Sequence, residues 1–338
     1  MRVTLGAIAV AAALTAVPIA VAPMVWPEPT PVAEPTVLRT HLASTEFRGE
    51  GWERLNIVSA AMRRVVPVDV LVGSGSGPRP TLYLLDGVEA QPTSDWITKG
   101  GAREFFADKP VDVVLTSGGV GSMYSDWQRY DAKLGLNRWE TFLTEELPPI
   151  VEAHLGSSGR RAIAGVSMGA QGAMMLAQRH PGRYRAVAGM SGCYSTADEV
   201  GRAVTRITVG SRGGNVENLW GPPTSPEWMA HDSLLGAESL RGTAIYLSAA
   251  TGFPSVPDLI SIAQSPDILD ALGTAGGGVA LEAGARDCTA RFADRLAQLD
   301  IPATVEYTPT GLHAWPDFSA QLGPAWQTMA GALGVAGE

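Results

Sequence analysis

The sequence predicts an α/β fold: a mostly parallel, doubly wound sheet with helices on both faces. Three observations carry that prediction. Short apolar, β-prone runs alternate with helix-prone runs along the chain from residue 81 onward, and the early runs end in glycine turns. One such run leads directly into Gly165-Val166-Ser167-Met168-Gly169, and a helix-prone run follows at once. Strands covered on both faces read as continuous apolar runs rather than alternating ones, as expected of parallel strands joined by helical crossovers.

The elements follow in order. Residues 54–72 read as two strands, and 73–80 as a flexible Gly- and Pro-containing turn. Residues 81–85 form a short strand ending at Asp86-Gly87, and 111–116 another ending at Ser117-Gly118-Gly119. A long helix is expected over 138–154. Pro148 and Pro149 lie inside it and should kink or break it, since proline lacks the N–H and its ring clashes with the preceding turn. The strand 161–166 and the helix 168–179 frame the glycine pentapeptide, and a strand at 186–191 comes next. Residues 193–241 read as a long, partly helical insertion. A strand at 243–249, a helix at 280–298, a last strand at 303–308 and a closing helix at 316–333 complete the chain. Gly276-Gly277-Gly278 reads as a loop, because it lacks the Lys-Ser/Thr of a phosphate-binding loop.

Length and composition suit one large α/β domain: 338 residues, 45% hydrophobic and 17% charged. The net charge of −9 argues against nucleic acid as a partner. Arg2 precedes an apolar run from Leu5 to Ala22 that ends in Ala20-Val21-Ala22, the layout of a Sec-type signal peptide over residues 1–22. Prolines at 23, 27, 29, 31 and 35 make 23–45 an extended linker, leaving 46–338 as the folded domain. Export to the cell envelope or medium is therefore expected. In that compartment the lone cysteine pair, Cys193 and Cys288, is expected to form a disulfide.

Strand, Gly-x-Ser-x-Gly, helix is the construction of a nucleophile elbow, the signature of the α/β-hydrolase fold. The glycines permit the sharp turn that exposes the Ser167 hydroxyl. The N–H of Met168, immediately after it, then faces the oxygen that becomes negative when an acyl carbonyl is attacked. A second donor is expected from the loop after an early strand, where the N–H of Val88 follows Asp86-Gly87. The base must follow the serine in this fold. His180 ends the elbow helix and lies roughly 20 Å away at 1.5 Å per residue. His231 has no strand before it, whereas His313 sits on a loop after the last strand. His313 is the expected base. By order, the acid is Asp258, Glu282, Asp267 or Asp270. No His or Cys spacing suggests a metal site, and no cofactor is expected. Most of the nine tryptophans should fill the core; Trp127 and Trp315 flank candidate catalytic loops and are expected as site walls.

Several strings are far more specific than the elbow. Leu84-Leu85-Asp86-Gly87 with Ala90-Gln91, Ser122-Met123-Tyr124-Ser125-Asp126-Trp127, and the run from Trp139 to Leu147 come first. The elbow, Leu219-Trp220-Gly221-Pro222 and Gly311-Leu312-His313-Ala314-Trp315 continue the series in order. Together they resemble the antigen 85 mycolyltransferase family over roughly residues 50–335. The placement of the cysteines looks closer to a corynebacterial or nocardial branch. The resemblance implies a secreted α/β-hydrolase that moves mycolyl groups from trehalose monomycolate onto trehalose or cell-wall arabinogalactan, with association with envelope lipids. It matches Ser167 to the nucleophile, His313 to the base and Glu282 to the acid, with Asp258 second. Val88 and Met168 match the oxyanion donors, and Asp86 matches a trehalose contact. Two positions depart: Glu89 stands where the family has a sugar-contacting arginine, and Ala314 where it has serine. Both departures point to altered acceptor or donor preference rather than altered chemistry. Two other functions fit the same residues less well: a secreted carboxylesterase using the same triad, and a catalytically silent surface protein of the fibronectin-binding kind.

Overall fold

The computed structural model of the chain describes residues 38–335. The expected signal peptide and the linker up to residue 37 lie outside the described residues. Nine strands form one sheet in the order β1-β2-β3-β5-β4-β6-β7-β8-β9. They are β1 (His41–Gly49), β2 (Trp52–Ser59), β3 (Arg64–Leu71), β4 (Thr81–Leu85), β5 (Asp112–Thr116), β6 (Arg161–Val166), β7 (Ala186–Met190), β8 (Ala244–Ala249) and β9 (Thr304–Tyr307). From β5 across to β9 every neighbour is parallel, while β1, β2 and β3 add an antiparallel edge. Alternate residues of each central strand enter opposite cores. On β4, Tyr83 and Leu85 pack with Trp127, Trp139, Phe142 and Met174, whereas Leu82 and Leu84 pack with Trp96, Phe106 and Trp326. Burial on both faces explains why the strand is uniformly apolar.

Three expectations need correction. The linker boundary at residue 45 falls inside β1. That strand is largely polar and exposed and is held by backbone pairing to β2, so its sequence carries no apolar signal. The helix expected to kink or break over 138–154 stays helical across its prolines but changes type just before them. A π-helical turn at Phe142–Glu146 leads into the helix Leu147–Leu155, whose first turn holds Pro148 and Pro149, where a missing N–H costs little. Gly276-Gly277-Gly278 is not a loop, because one 31-residue helix runs from Ile268 to Gln298. Each glycine costs a helix about 1 kcal/mol relative to alanine. Buried Ala285, Cys288, Phe292 and Leu296 further along dock this helix and outweigh that cost. Among the described residues, no helix is long and apolar enough to cross a membrane.

Candidate active site

Ser167 stands between β6 and the helix Met168–Arg179 with φ 55° and ψ −118°, a conformation that side chains rarely adopt. The surrounding glycines make the turn feasible. A Cβ on Gly165 would lie 2.3 Å from the Gly169 carbonyl, and one on Gly169 would lie 2.4 Å from the Asp86 oxygen. The helix therefore starts in direct contact with the end of β4. The strained turn is pinned on both sides: the Ser167 N–H donates to Met190 O at 2.9 Å, and its carbonyl accepts from the Gln171 N–H at 3.1 Å.

The loop after β9 brings His313 to this turn. Its Nε2 lies 2.8 Å from Ser167 Oγ and its Nδ1 2.8 Å from Glu282 Oε2. Gly311 lets the loop pass close to β8, since a Cβ there would meet the Ala250 Cβ at 2.8 Å. The loop is fastened by the His313 N–H to Gly278 O (3.3 Å) and by the Leu312 N–H to Asp317 Oδ2 (2.7 Å). Phe318 packs edge-on against the imidazole, and Trp315 against Phe318. Trp315 is thus a half-buried support behind the histidine.

Glu282 is fully buried, and both of its oxygens are satisfied. Oε2 meets His313, while Oε1 accepts from Ser191 Oγ at 2.8 Å and from the Ala250 N–H at 2.6 Å. Ser191 also has a positive φ of 54°, and its N–H donates to Ser248 O at 2.8 Å. Sequence reasoning missed Ser191. Its only signal was a serine just past a strand adjacent to the elbow strand, which is common in any sheet. Cys193 and Cys288 form the expected disulfide, tying the segment after β7 to the helix that bears Glu282.

Among the described side chains, none of the rival acids is hydrogen-bonded to His313, although Asp258 lines the pocket beside it. Asp258 caps the helix Val256–Gln264, accepting from the Ser255 N–H (2.7 Å) and Oγ (2.6 Å), because its place three residues after Ser255 completes a capping box. Asp267 follows that helix beside Ser265, and the side chain of Asp270 lies outside the described ones. His180 and His231 both face Glu140, with Arg179 on the same carboxylate. Burial opposes the charge on Glu140, but these three partners outweigh it and hold the carboxyl well below its usual range. Among the described residues, no group of three or more His, Cys, Asp or Glu is arranged to hold a metal ion.

Gly87 brings the end of β4 alongside the serine, since a Cβ on it would lie 3.8 Å from Ser167 Cβ. Val88 follows, half-buried, its carbonyl taken by the Gly121 N–H at 3.0 Å. Met168 opens its helix, so its N–H is among the first-turn donors that have no helical partner. Asp86 is fully buried at the end of β4. Its Oδ1 accepts from Ser94 Oγ (2.9 Å) and the Trp96 N–H (3.2 Å), while Oδ2 has no protein partner. Burial, opposed by those hydrogen bonds and aided by the charge on Asp95, pushes its pKa up to about 7. Burial also raises Asp317, opposed by the Leu312 N–H and reinforced by Asp258 and Glu282, to about 6. Trp127 is not a wall of the site. It is completely buried with its indole N–H on Ser122 O (2.9 Å), because the loop around it folds into the core. Glu89 pairs with Arg212 at 2.7 Å, and Ala314 is the N-cap of the helix Trp315–Ala320, with no side chain to cap it. The pocket of about 290 Å³ opens beside His313, which lines it together with Asp258, Thr274, Ile262, Leu312 and Pro316.

Residues 59–329 match the Esterase family. The chain is 32% identical over 293 residues to the diacylglycerol acyltransferase/mycolyltransferase Ag85A of Mycobacterium tuberculosis, a match covering 84% of this chain and 82% of that protein. It is 30% identical over 293 residues to Ag85B of Mycobacterium avium, covering 84% of each. Mycobacterium tuberculosis MPT51 (FbpC1) has a similar structure, with a TM-score of 0.69 and 28% identity over 83% of this chain and 98% of that one. An S-formylglutathione hydrolase from Agrobacterium tumefaciens, at 17% identity and a TM-score of 0.61 over 85% and 99% of the two chains, shares the fold. A serine on a glycine elbow, its histidine and its buried carboxylate thus sit in a chain of this ancestry: the chain belongs to the esterase family of α/β-hydrolase enzymes, among the relatives of the antigen 85 acyltransferase/mycolyltransferases.

Proposed function

We propose that this chain is an exported serine acyltransferase that moves mycolyl groups from trehalose monomycolate to trehalose or cell-wall arabinogalactan through an acyl-Ser167 intermediate. The observation that carries the proposal is the continuous contact Ser167 Oγ–His313 Nε2–His313 Nδ1–Glu282 Oε2, with 2.8 Å at each hydrogen bond. His313 takes the Ser167 proton as the oxygen attacks the ester carbonyl, and Glu282 stabilises the imidazolium that forms. The N–H groups of Val88 and Met168 receive the oxyanion, a contribution worth roughly 10²–10³ in rate per donor. The carbon–oxygen bond to trehalose breaks, and its oxygen leaves with the proton from His313. An acceptor hydroxyl then gives its proton to His313 and attacks the acyl-serine, which restores the free Ser167 hydroxyl. Each step uses groups of this chain alone.

Water entering in place of the acceptor yields free acid, so esterase activity accompanies transfer. An aligned acceptor site favours transfer by raising the effective concentration of one hydroxyl. Glu89, paired to Arg212 where relatives of the resembled family carry an arginine, makes acceptor choice the feature on which this enzyme should differ. The test is mass spectrometry of products from trehalose monomycolate, beside Ser167→Ala. Trehalose dimycolate from the wild type alone supports the proposal. Free mycolic acid with no transfer, even with arabinan fragments added, would reduce the enzyme to an esterase.

A further inference from the structure

The helix Val256–Gln264 turns an apolar face to solvent beside the site. Val256, Leu259 and Ile260 share that face at helical spacing and are 70%, 54% and 50% exposed. Phe253, just before the helix, is 69% exposed, and Val279 and Leu281 of the neighbouring helix are exposed as well. An amphipathic helix in a soluble domain normally turns such a face to the core. Here the core-facing positions are already taken, by buried Asp258 and by Ile262, which lines the pocket.

These residues border the His313 loop. The Phe253 carbonyl accepts from the Gly311 N–H (2.7 Å), and the Gly278 carbonyl, next to Val279, accepts from the His313 N–H. A Cβ on Gly252 would touch the Val279 carbonyl at 2.7 Å, so Phe253 and Val279 sit on adjacent backbone. The surface also lacks cations: no Lys, Arg or His occurs between Arg241 and Arg286. Of the four acids in that stretch, Asp258 and Glu282 are buried, and Asp267 and Asp270 lie past the end of the helix. Such a face offers nothing to an anionic headgroup, and it has little charge to desolvate against hydrocarbon.

We propose that this face docks on an uncharged lipid layer, the surface of the aggregate that holds the acyl donor. Docking there places the pocket beside His313 at the lipid surface, so the acyl chain passes from lipid to pocket without crossing water. The choice of lipid as partner rests on the acyl-lipid reading of the active site. Interfacial binding of this kind scales with the apolar area buried.

The test uses the whole protein with phosphatidylcholine vesicles in a sedimentation assay. The wild type should co-sediment, with no gain from added phosphatidylglycerol and no loss in high salt. Leu259→Glu combined with Ile260→Glu should weaken binding by about tenfold or more, given the transfer cost of two large apolar side chains. The same variant should hydrolyse soluble p-nitrophenyl butyrate within about twofold of wild type, since neither side chain lines the pocket, while losing transfer from aggregated donor. Phe253→Ser, in a loop, provides a second variant that leaves the helix intact and should weaken binding in the same direction. Unchanged sedimentation of both variants, or no sedimentation of the wild type, overturns the proposal. Vesicle binding with no acyl transfer would instead leave the surface standing and defeat the reading of the active site.

Discussion

Replacing Asp86 by asparagine should stabilise this protein increasingly as the pH rises. The Asp86 carboxyl is fully buried, with one oxygen on Ser94 and Trp96 and the other without a protein partner. Burial raises its pKa from 3.8 to about 7. Between those values the folded state holds a proton that the unfolded state has released, so stability falls as pH rises through the window and levels off above about 7. At 1.36 kcal/mol per pH unit, the penalty is about 1.5 kcal/mol at pH 5 and about 4 kcal/mol at pH 8. Asparagine keeps an oxygen for Ser94 and Trp96 and cannot ionise. The advantage of Asp86→Asn over wild type should therefore grow by about 2–3 kcal/mol between pH 5 and pH 8. Urea unfolding of both proteins at several pH values measures this difference, and the titrations of all other groups cancel in it. A difference that stays flat from pH 5 to 8 would mean that the carboxyl ionises normally and that the site is wetter than its burial implies.

Other expectations concern the support of the triad. Ser191→Ala removes one of the two donors to Glu282 Oε1 and should lower kcat by about tenfold while leaving KM near wild type, as a lost hydrogen bond to a charged group is worth about 1.5–3 kcal/mol; a change confined to KM would refute the positioning role. Replacing Cys193 and Cys288 by serine releases a bridge that closes a 95-residue separation and should cost about 2–4 kcal/mol in denaturant unfolding, with kcat falling alongside stability because the helix bearing Glu282 loosens. Ser167→Ala should abolish labelling by an organophosphonate and lower kcat by about 10⁴-fold or more, with no loss of thermal stability because the φ 55° turn is relieved only slightly. Glu89→Arg faces Arg212 in place of an ion pair and should change the KM for trehalose more than the rate of acyl-enzyme formation, read in a stopped assay of donor consumption.

The fold was legible where burial dictates composition. β4 and β6 coincide with the apolar runs read from the sequence, and β7 and β8 do so to within a residue, because a strand covered on both faces has little freedom except to be apolar. β1 was hidden for the opposite reason. An edge strand held by main-chain pairing alone leaves no side-chain pattern. The early half of the helix Ile268–Gln298 was hidden by its own glycines. Local propensity argues against a helix there, yet the buried second half of the same helix forces the continuation.

The site divides along a similar line. Ser167 is fixed by backbone geometry that only its glycine neighbours permit, and His313 by its place after the last strand, so both could be read from order alone. The acid could not. Asp258 and Glu282 each follow β8, and their roles differ by what surrounds them: Ser255 draws Asp258 into a cap, while Ser191, the Ala250 N–H and His313 converge on Glu282. Those partners come from three separate segments, and no spacing rule links them. The disulfide joins the Ser191 segment to the helix that bears Glu282, less than two helical turns beyond it, so the least legible member of the triad is also the one that the fold fastens covalently.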